Sequence, residues 1–131
     1  MTTLDYLEKL LAFDTTSAHP NADLIAWVQA QLVAMGAKVQ IIENAEGSKA
    51  NLFATIGPGD RGGVMLSGHT DVVPVVGQIW TVPAFAMTSK DGKVYGRGSA
   101  NMKEFVAAML SAARKASGQK SAHAVASGAV L

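Results

Sequence analysis

The densest run of chemically capable side chains is Ser67-Gly68-His69-Thr70-Asp71-Val72-Val73-Pro74. His69 closes a short apolar run, and α/β sheets place their sites at such carboxyl ends. Asp71 lies two positions on and shares a face with His69 if the chain stays extended. Its carboxylate could then take the proton of one imidazole nitrogen and leave the other free for a metal. The same two letters also describe a surface histidine paired with a neighbouring carboxylate, and spacing alone does not choose. A second run is Tyr95-Gly96-Arg97-Gly98-Ser99-Ala100-Asn101-Met102-Lys103. Two glycines before a helix start could turn backbone amides toward a ligand. A tight turn with a helix cap accounts for them equally, and the rest of a dinucleotide fingerprint is absent. Asn101 stands near the helix start, where asparagine commonly caps. Trp27 reads as core, while Trp80 and Phe85 either line a pocket or pack their own loop. His19 and His123 lack partners at metal-ligand spacing and read as solvated.

These residues need elements to hold them. Leu4, Leu7 and Leu11, with Leu10 beside them, predict a helix from Thr3 to Phe13. Thr2 and Asp5 have the spacing of a capping box. Asp14 to Pro20 reads as a loop. A second helix begins near Asn21, with Leu24, Ile25, Val28, Leu32 and Met35 as its apolar face and Gly36 as its stop. Short runs rich in β-branched and aromatic residues follow at Lys38–Ile42 and Asn51–Ile56, and a short apolar run at Val64–Gly68. The third is apolar enough to suit a sheet covered on both faces. Asp91-Gly92 marks a hairpin between Ala86–Thr88 and Lys93–Tyr95. A last helix runs from Ala100 to Lys115, burying Phe105, Val106, Met109, Leu110 and Ala113. His123 to Ala126 reads as a further strand, exposed at an edge unless something covers it. The pattern predicts an α/β layered domain over residues 1–116 with a divergent tail over 117–131.

Composition narrows the partners. Eleven basic and ten acidic side chains leave a formal charge of +1 in 131 residues, without the basic patch of a nucleic-acid binder. There is no cysteine, so no thiolate ligand and no disulfide. Any metal must sit on histidine, carboxylate or amide donors. No apolar run approaches the length of a membrane span, and no signal-peptide pattern opens the chain. A cytoplasmic protein is the expectation.

The segment from Gly63 to Lys103 resembles the amino-terminal part of acetylornithine deacetylases. These belong to the dinuclear zinc aminoacylase and carboxypeptidase family that also holds succinyl-diaminopimelate desuccinylase. The words that carry the resemblance are Ser-Gly-His69-Thr-Asp71-Val-Val-Pro74, Gly77-Gln78, Trp80, Pro83, Phe85, Asp91-Gly92, Tyr95-Gly96-Arg97-Gly98 and Met102-Lys103. Phe13-Asp14-Thr15-Thr16-Ser17 and Lys49 to Pro58 extend it, so that it covers Leu4 to Ala116. The resemblance implies the amino-terminal part of a zinc-hydrolase catalytic domain, with a mixed, mostly parallel sheet flanked by helices. It implies two zinc ions at the strand ends, with His69 as a ligand and Asp71 as the catalytic-site carboxylate that orients it. It further implies hydrolysis of a small N-acyl amino acid, acetate and ornithine being the products. The zinc would polarise the amide carbonyl and activate water.

Three departures bear on that expectation. Asn101 stands where the family has an aspartate bridging both metals, and an amide offers a single neutral carbonyl oxygen. Val76 replaces an acidic residue and Glu104 a glycine. The family's acidic pair, which holds the general base, would fall near Val130-Leu131, which have no ligand atoms. The chain is therefore expected to be a shortened segment, inactive alone and weak in zinc binding. The alternative is a non-catalytic interaction module built on the same fold. Either way, an incomplete sheet is expected to drive homo-oligomerisation or strand swapping.

Overall fold

The computed structural model describes residues 1–118 and the backbone of 124–129. His123 lies outside the described residues. Helix α1 spans Thr3–Leu11 and opens with a complete capping box. The Asp5 amide donates to Thr2 Oγ1 at 3.2 Å, and the Thr2 amide donates to Asp5 Oδ2 at 2.6 Å. The buried face is Tyr6, Leu7, Leu10 and Leu11, while Leu4, expected inside, is 54% exposed. Tyr6 takes that place, edge-on to Trp27 at 6.3 Å between ring centroids. Trp27 packs on the core from helix α2, Ala22–Ala34. Leu24, Ile25, Val28 and Leu32 form the buried face of α2, and Gly36 at φ +80° ends it.

Asn21 precedes α2 without capping it by its side chain. Its amide instead pairs with strand backbone. Nδ2 donates to Ala50 O at 3.2 Å, and the Ala50 amide donates to Oδ1 at 2.9 Å. This ties the start of α2 to β2, Ala50–Ile56. Strand β1, Lys38–Glu43, pairs antiparallel with β2, with Lys38 opposite Thr55. Ala50, Leu52, Ala54 and Ile56 are buried in one core with all three helices. Strand β3, Gly63–Gly68, leads directly to His69. The short hairpin β4 (Thr88–Lys90) and β5 (Lys93–Tyr95) turns at Asp91-Gly92 as predicted. Helix α3 spans Lys103–Ser117, starting three residues later than predicted. Phe105, expected inside, is 36% exposed, and its place is taken by Lys103 and Ala107.

The last strand, β6, is Ala124–Ala129. The sheet order is β1-β2-β6-β3. The strand expected at an edge therefore lies between β2 and β3, and the edges are β1 and β3. It is antiparallel to β2 and parallel to β3, with Leu66 opposite Ser127. Among the described residues the sheet is mixed, as expected, but only one of its three pairings is parallel, a correction to the mostly parallel expectation. The short turn after β1 forces an antiparallel hairpin, whereas the return from β3 to β6 passes through α3 and can run parallel. The apolar character of β3 does not reflect cover on both faces, since Val64 and Met65 are each 63% exposed. Among the described residues, no helix is long and apolar enough to cross a membrane.

Candidate functional site

Beyond β3 the chain continues extended through Thr70 to Val72, held by the loop between α1 and α2. Thr16 and Val72 form an isolated parallel bridge. The Ser17 amide donates to Val72 O at 3.1 Å, and the Val72 amide donates to Thr15 O at 3.0 Å. The Thr15 hydroxyl donates to Thr70 O at 2.6 Å. Because this stretch is extended, His69 and Asp71 share a face.

Asp71 Oδ1 lies 2.9 Å from His69 Nδ1. Asp71 Oδ2 accepts the Ser17 hydroxyl at 2.6 Å. That hydroxyl, followed by the charge of His69, holds the Asp71 carboxyl below the usual aspartate range against the opposing pull of burial. A carboxylate in this position favours the proton on Nδ1 and leaves a lone pair on Nε2. Nε2 faces Asn101 Oδ1 at 3.2 Å. Asn101 thus turns its side chain to His69 rather than capping α3, which begins two residues later. The fold brings all three candidates, His69, Asp71 and Asn101, into one line. A cleft lined by Thr15, His19, Lys49 and Asp71 opens beside them, so water reaches the carboxylate. His19, expected to be solvated, pairs with Asp14 at 3.1 Å and stays half exposed.

The glycine run resolves as a tight turn. The Ser99 amide donates to Gly96 O at 3.1 Å. Gly98 has φ +90°, and a Cβ there would come within 2.9 Å of Val72 Cγ1. Its bare backbone lets the 96–101 loop lie against the His69–Val72 strand and so carries Asn101 to the imidazole. Arg97 lies over the Trp80 ring, 5.0 Å from its centroid, and also donates to Gln78 Oε1. This pins the Pro74–Pro83 loop to the same turn.

Two residues that spacing did not single out matter here. Ser17 is one. The other is Lys103, fully buried at the start of α3. Its ammonium donates to Leu10 O at 2.9 Å and to Phe13 O at 2.7 Å. Burial pushes it down to about 8, with the Asp14 charge pulling the other way. Both residues act on chain positions far away in sequence, a relation no local pattern reveals.

The donor set can be tested against zinc. His69 Nε2 and Asn101 Oδ1 are two donors facing one another. Zinc sites use three or four protein ligands. Among the described residues no group of three or more His, Cys, Asp or Glu side chains could hold a metal ion. These residues fit one side of a metal site and do not complete it.

The Peptidase family M20/M25/M40 model matches residues 65–128. The acetylornithine deacetylase of Myxococcus xanthus is 40% identical over 115 residues, covering 84% of this chain and 30% of that protein. The acetylornithine deacetylase of Pasteurella multocida is 44% identical over 94 residues, covering 70% of this chain and 24% of its own length. Among solved structures, human carnosine dipeptidase 1 superposes with a TM-score of 0.82 at 24% identity, over 97% of this chain and 31% of that one. An M20 family metallo-carboxypeptidase from Sulfolobus solfataricus gives 0.81 at 21% identity, over 97% and 30%. The chain spans about 30% of the length of the relatives it matches. Over the segment it shares with them, the chain is similar in sequence to the M20/M25/M40 peptidase family and to these acetylornithine deacetylases, and similar in fold to these solved structures.

Proposed function

We propose that this segment supplies part of the active site of a metal-dependent amide hydrolase of the acetylornithine deacetylase type, acting on a small N-acyl amino acid such as N-acetylornithine. The observation that carries the reading is the Asp71–His69–Asn101 line at the end of β3, in the region where the curated relatives match. In this reading His69 presents Nε2 to a metal, Asp71 fixes the ring, and Asn101 offers a neutral second donor. A bound zinc would act as the Lewis acid that polarises an amide carbonyl. With two donors, the chain by itself binds zinc weakly and does not release acetate from N-acetylornithine.

Native mass spectrometry with added zinc, run beside the Asn101→Asp variant, tests this. A carboxylate at position 101 restores a charged donor beside Nε2, so the variant should bind zinc at least about tenfold more tightly than the unaltered chain. Equal zinc occupancy in both would remove the metal reading. Acetate release by the purified, unaltered chain would show that the two donors suffice.

A second reading, a non-catalytic oligomerisation module on the same fold, is favoured by the open β3 edge. Val64 and Met65 lie exposed there, beside strand backbone that no other described strand pairs.

A further inference from the structure

We propose that Ser17 is a positioning residue for His69, acting through Asp71: its hydroxyl occupies the carboxylate oxygen that His69 does not use and so sets which imidazole nitrogen stays bare. The proposal deepens the reading of His69 as a donor and rests on it. A carboxylate has two oxygens and can turn about its own bond unless both are engaged. Asp71 Oδ1 meets His69 Nδ1 at 2.9 Å. Asp71 Oδ2 is met by Ser17 Oγ at 2.6 Å, the length expected when a hydroxyl donates to a charged acceptor. With both ends held, the carboxylate plane is fixed and so is the ring it bonds.

Ser17 itself has little freedom to drift. Its amide donates to Val72 O at 3.1 Å, and its carbonyl accepts from Lys49 Nζ. The next residue back, Thr16, bridges Val72, and its amide and hydroxyl both donate to Asp14 Oδ1, at 3.0 and 2.6 Å. The hydroxyl thus reaches Asp71 from a backbone frame clamped on two sides, 54 residues away in sequence. Ser17 is exposed and contributes nothing to the core. A role in fold stability is therefore small, while a role in aiming Asp71 survives exposure, because it needs only the one bond.

The test is the tautomer of His69 in the metal-free chain, read from imidazole nitrogen-15 shifts at one fixed pH where the ring is neutral. The signal is assigned by its loss in His69→Gln. The unaltered chain should show mainly the Nδ1–H form, because Nδ1 faces two acceptors, Asp71 Oδ1 at 2.9 Å and Asp71 O at 3.1 Å, while Nε2 faces one, Asn101 Oδ1 at 3.2 Å. Ser17→Ala should lower the ratio of Nδ1–H to Nε2–H at least about threefold, the loss of one modest hydrogen bond. Ser17→Thr, which keeps the hydroxyl, should leave it unchanged, and melting temperatures should agree among the three. Should Ser17→Ala lose cooperative unfolding, Ser17→Cys, whose thiol is a weak donor, carries the same comparison. An unchanged ratio in the folded Ala or Cys variant, alongside a shifted ratio in Asp71→Ala, would overturn the role of Ser17. Because no metal is present, the result stands apart from the zinc titration: failure there removes the proposed function and leaves the tautomer comparison intact.

Discussion

At the scale of single residues, two positions hold the site without touching a ligand. Lys103 is a buried cation, and two of its three donors find backbone carbonyls rather than a carboxylate partner. One of them belongs to the last turn of α1, where cations complement the helix dipole. Lys103→Met keeps the apolar stem but strands the carbonyls of Leu10 and Phe13. Urea unfolding should show a loss of about 1–3 kcal/mol with an unchanged slope. An unchanged midpoint would mean water replaces the ammonium. Gly98 acts by absence. Gly98→Ala would place a side chain at φ +90° and 2.9 Å from Val72 Cγ1. Strain and overpacking together should cost about 2–4 kcal/mol and separate Asn101 from His69, visible as a shifted His69 ring signal. The glycine turn at Gly98 was legible as a turn, whereas the roles of Lys103 and Ser17 are not written in local sequence, because each acts on chain positions far away. What spacing did reveal was the His69–Asp71 pair, because an extended stretch fixes where alternate side chains point.

At the scale of elements, periodicity located every helix, and its errors share a cause. Leu4 and Phe105 each sit in a first helical turn, where the facing surface is set by how the helix docks rather than by apolar spacing. Tyr6 and Lys103 fill those faces. The Thr2–Asp5 box was legible because capping is local. It also sets an acid dependence. The Thr2 amide, followed by its hydroxyl, lowers the Asp5 pKa from its ordinary value. A depressed folded pKa means the contribution is complete above the ordinary aspartate range and is lost as pH falls through the folded value. Asp14, lowered by Thr16 and His19 against burial, acts in the same direction. Melting temperature should therefore fall between about pH 4 and pH 2. Thr2→Ala should melt about 3 °C lower at neutral pH and lose part of that acid slope. An acid slope identical to that of the unaltered chain would show that the box does not matter to α1.

At the scale of the whole molecule, the sheet order escaped the sequence because strand pairing here is non-local. A run of small residues near position 125 offers no signal that it will lie between β2 and β3. The exposed β3 edge has a physical consequence: Val64 and Met65 offer apolar surface next to unpaired amides and carbonyls. Sedimentation should show self-association that rises with concentration. Met65→Lys, a charge of the kind natural edges use, should shift the chain toward monomer. Association unchanged by that substitution would place the contact elsewhere.

The central position of β6 also bears on how the chain is made. Ribosomes deliver residues in order, at about 5–20 per second. When β2 and β3 have both emerged, they are not neighbours, and a slot about 10 Å wide lies between them until the last strand arrives. Helix α1 waits almost as long, since the lysine that closes its carboxyl end comes 93 residues after Leu10. For several seconds the nascent chain therefore carries α2 and the β1-β2 hairpin, already tied together through Asn21, without the strand that joins β2 to β3 or the lysine that closes α1. That interval gives a chaperone or a second nascent copy an opening besides the β3 edge that the finished fold still exposes.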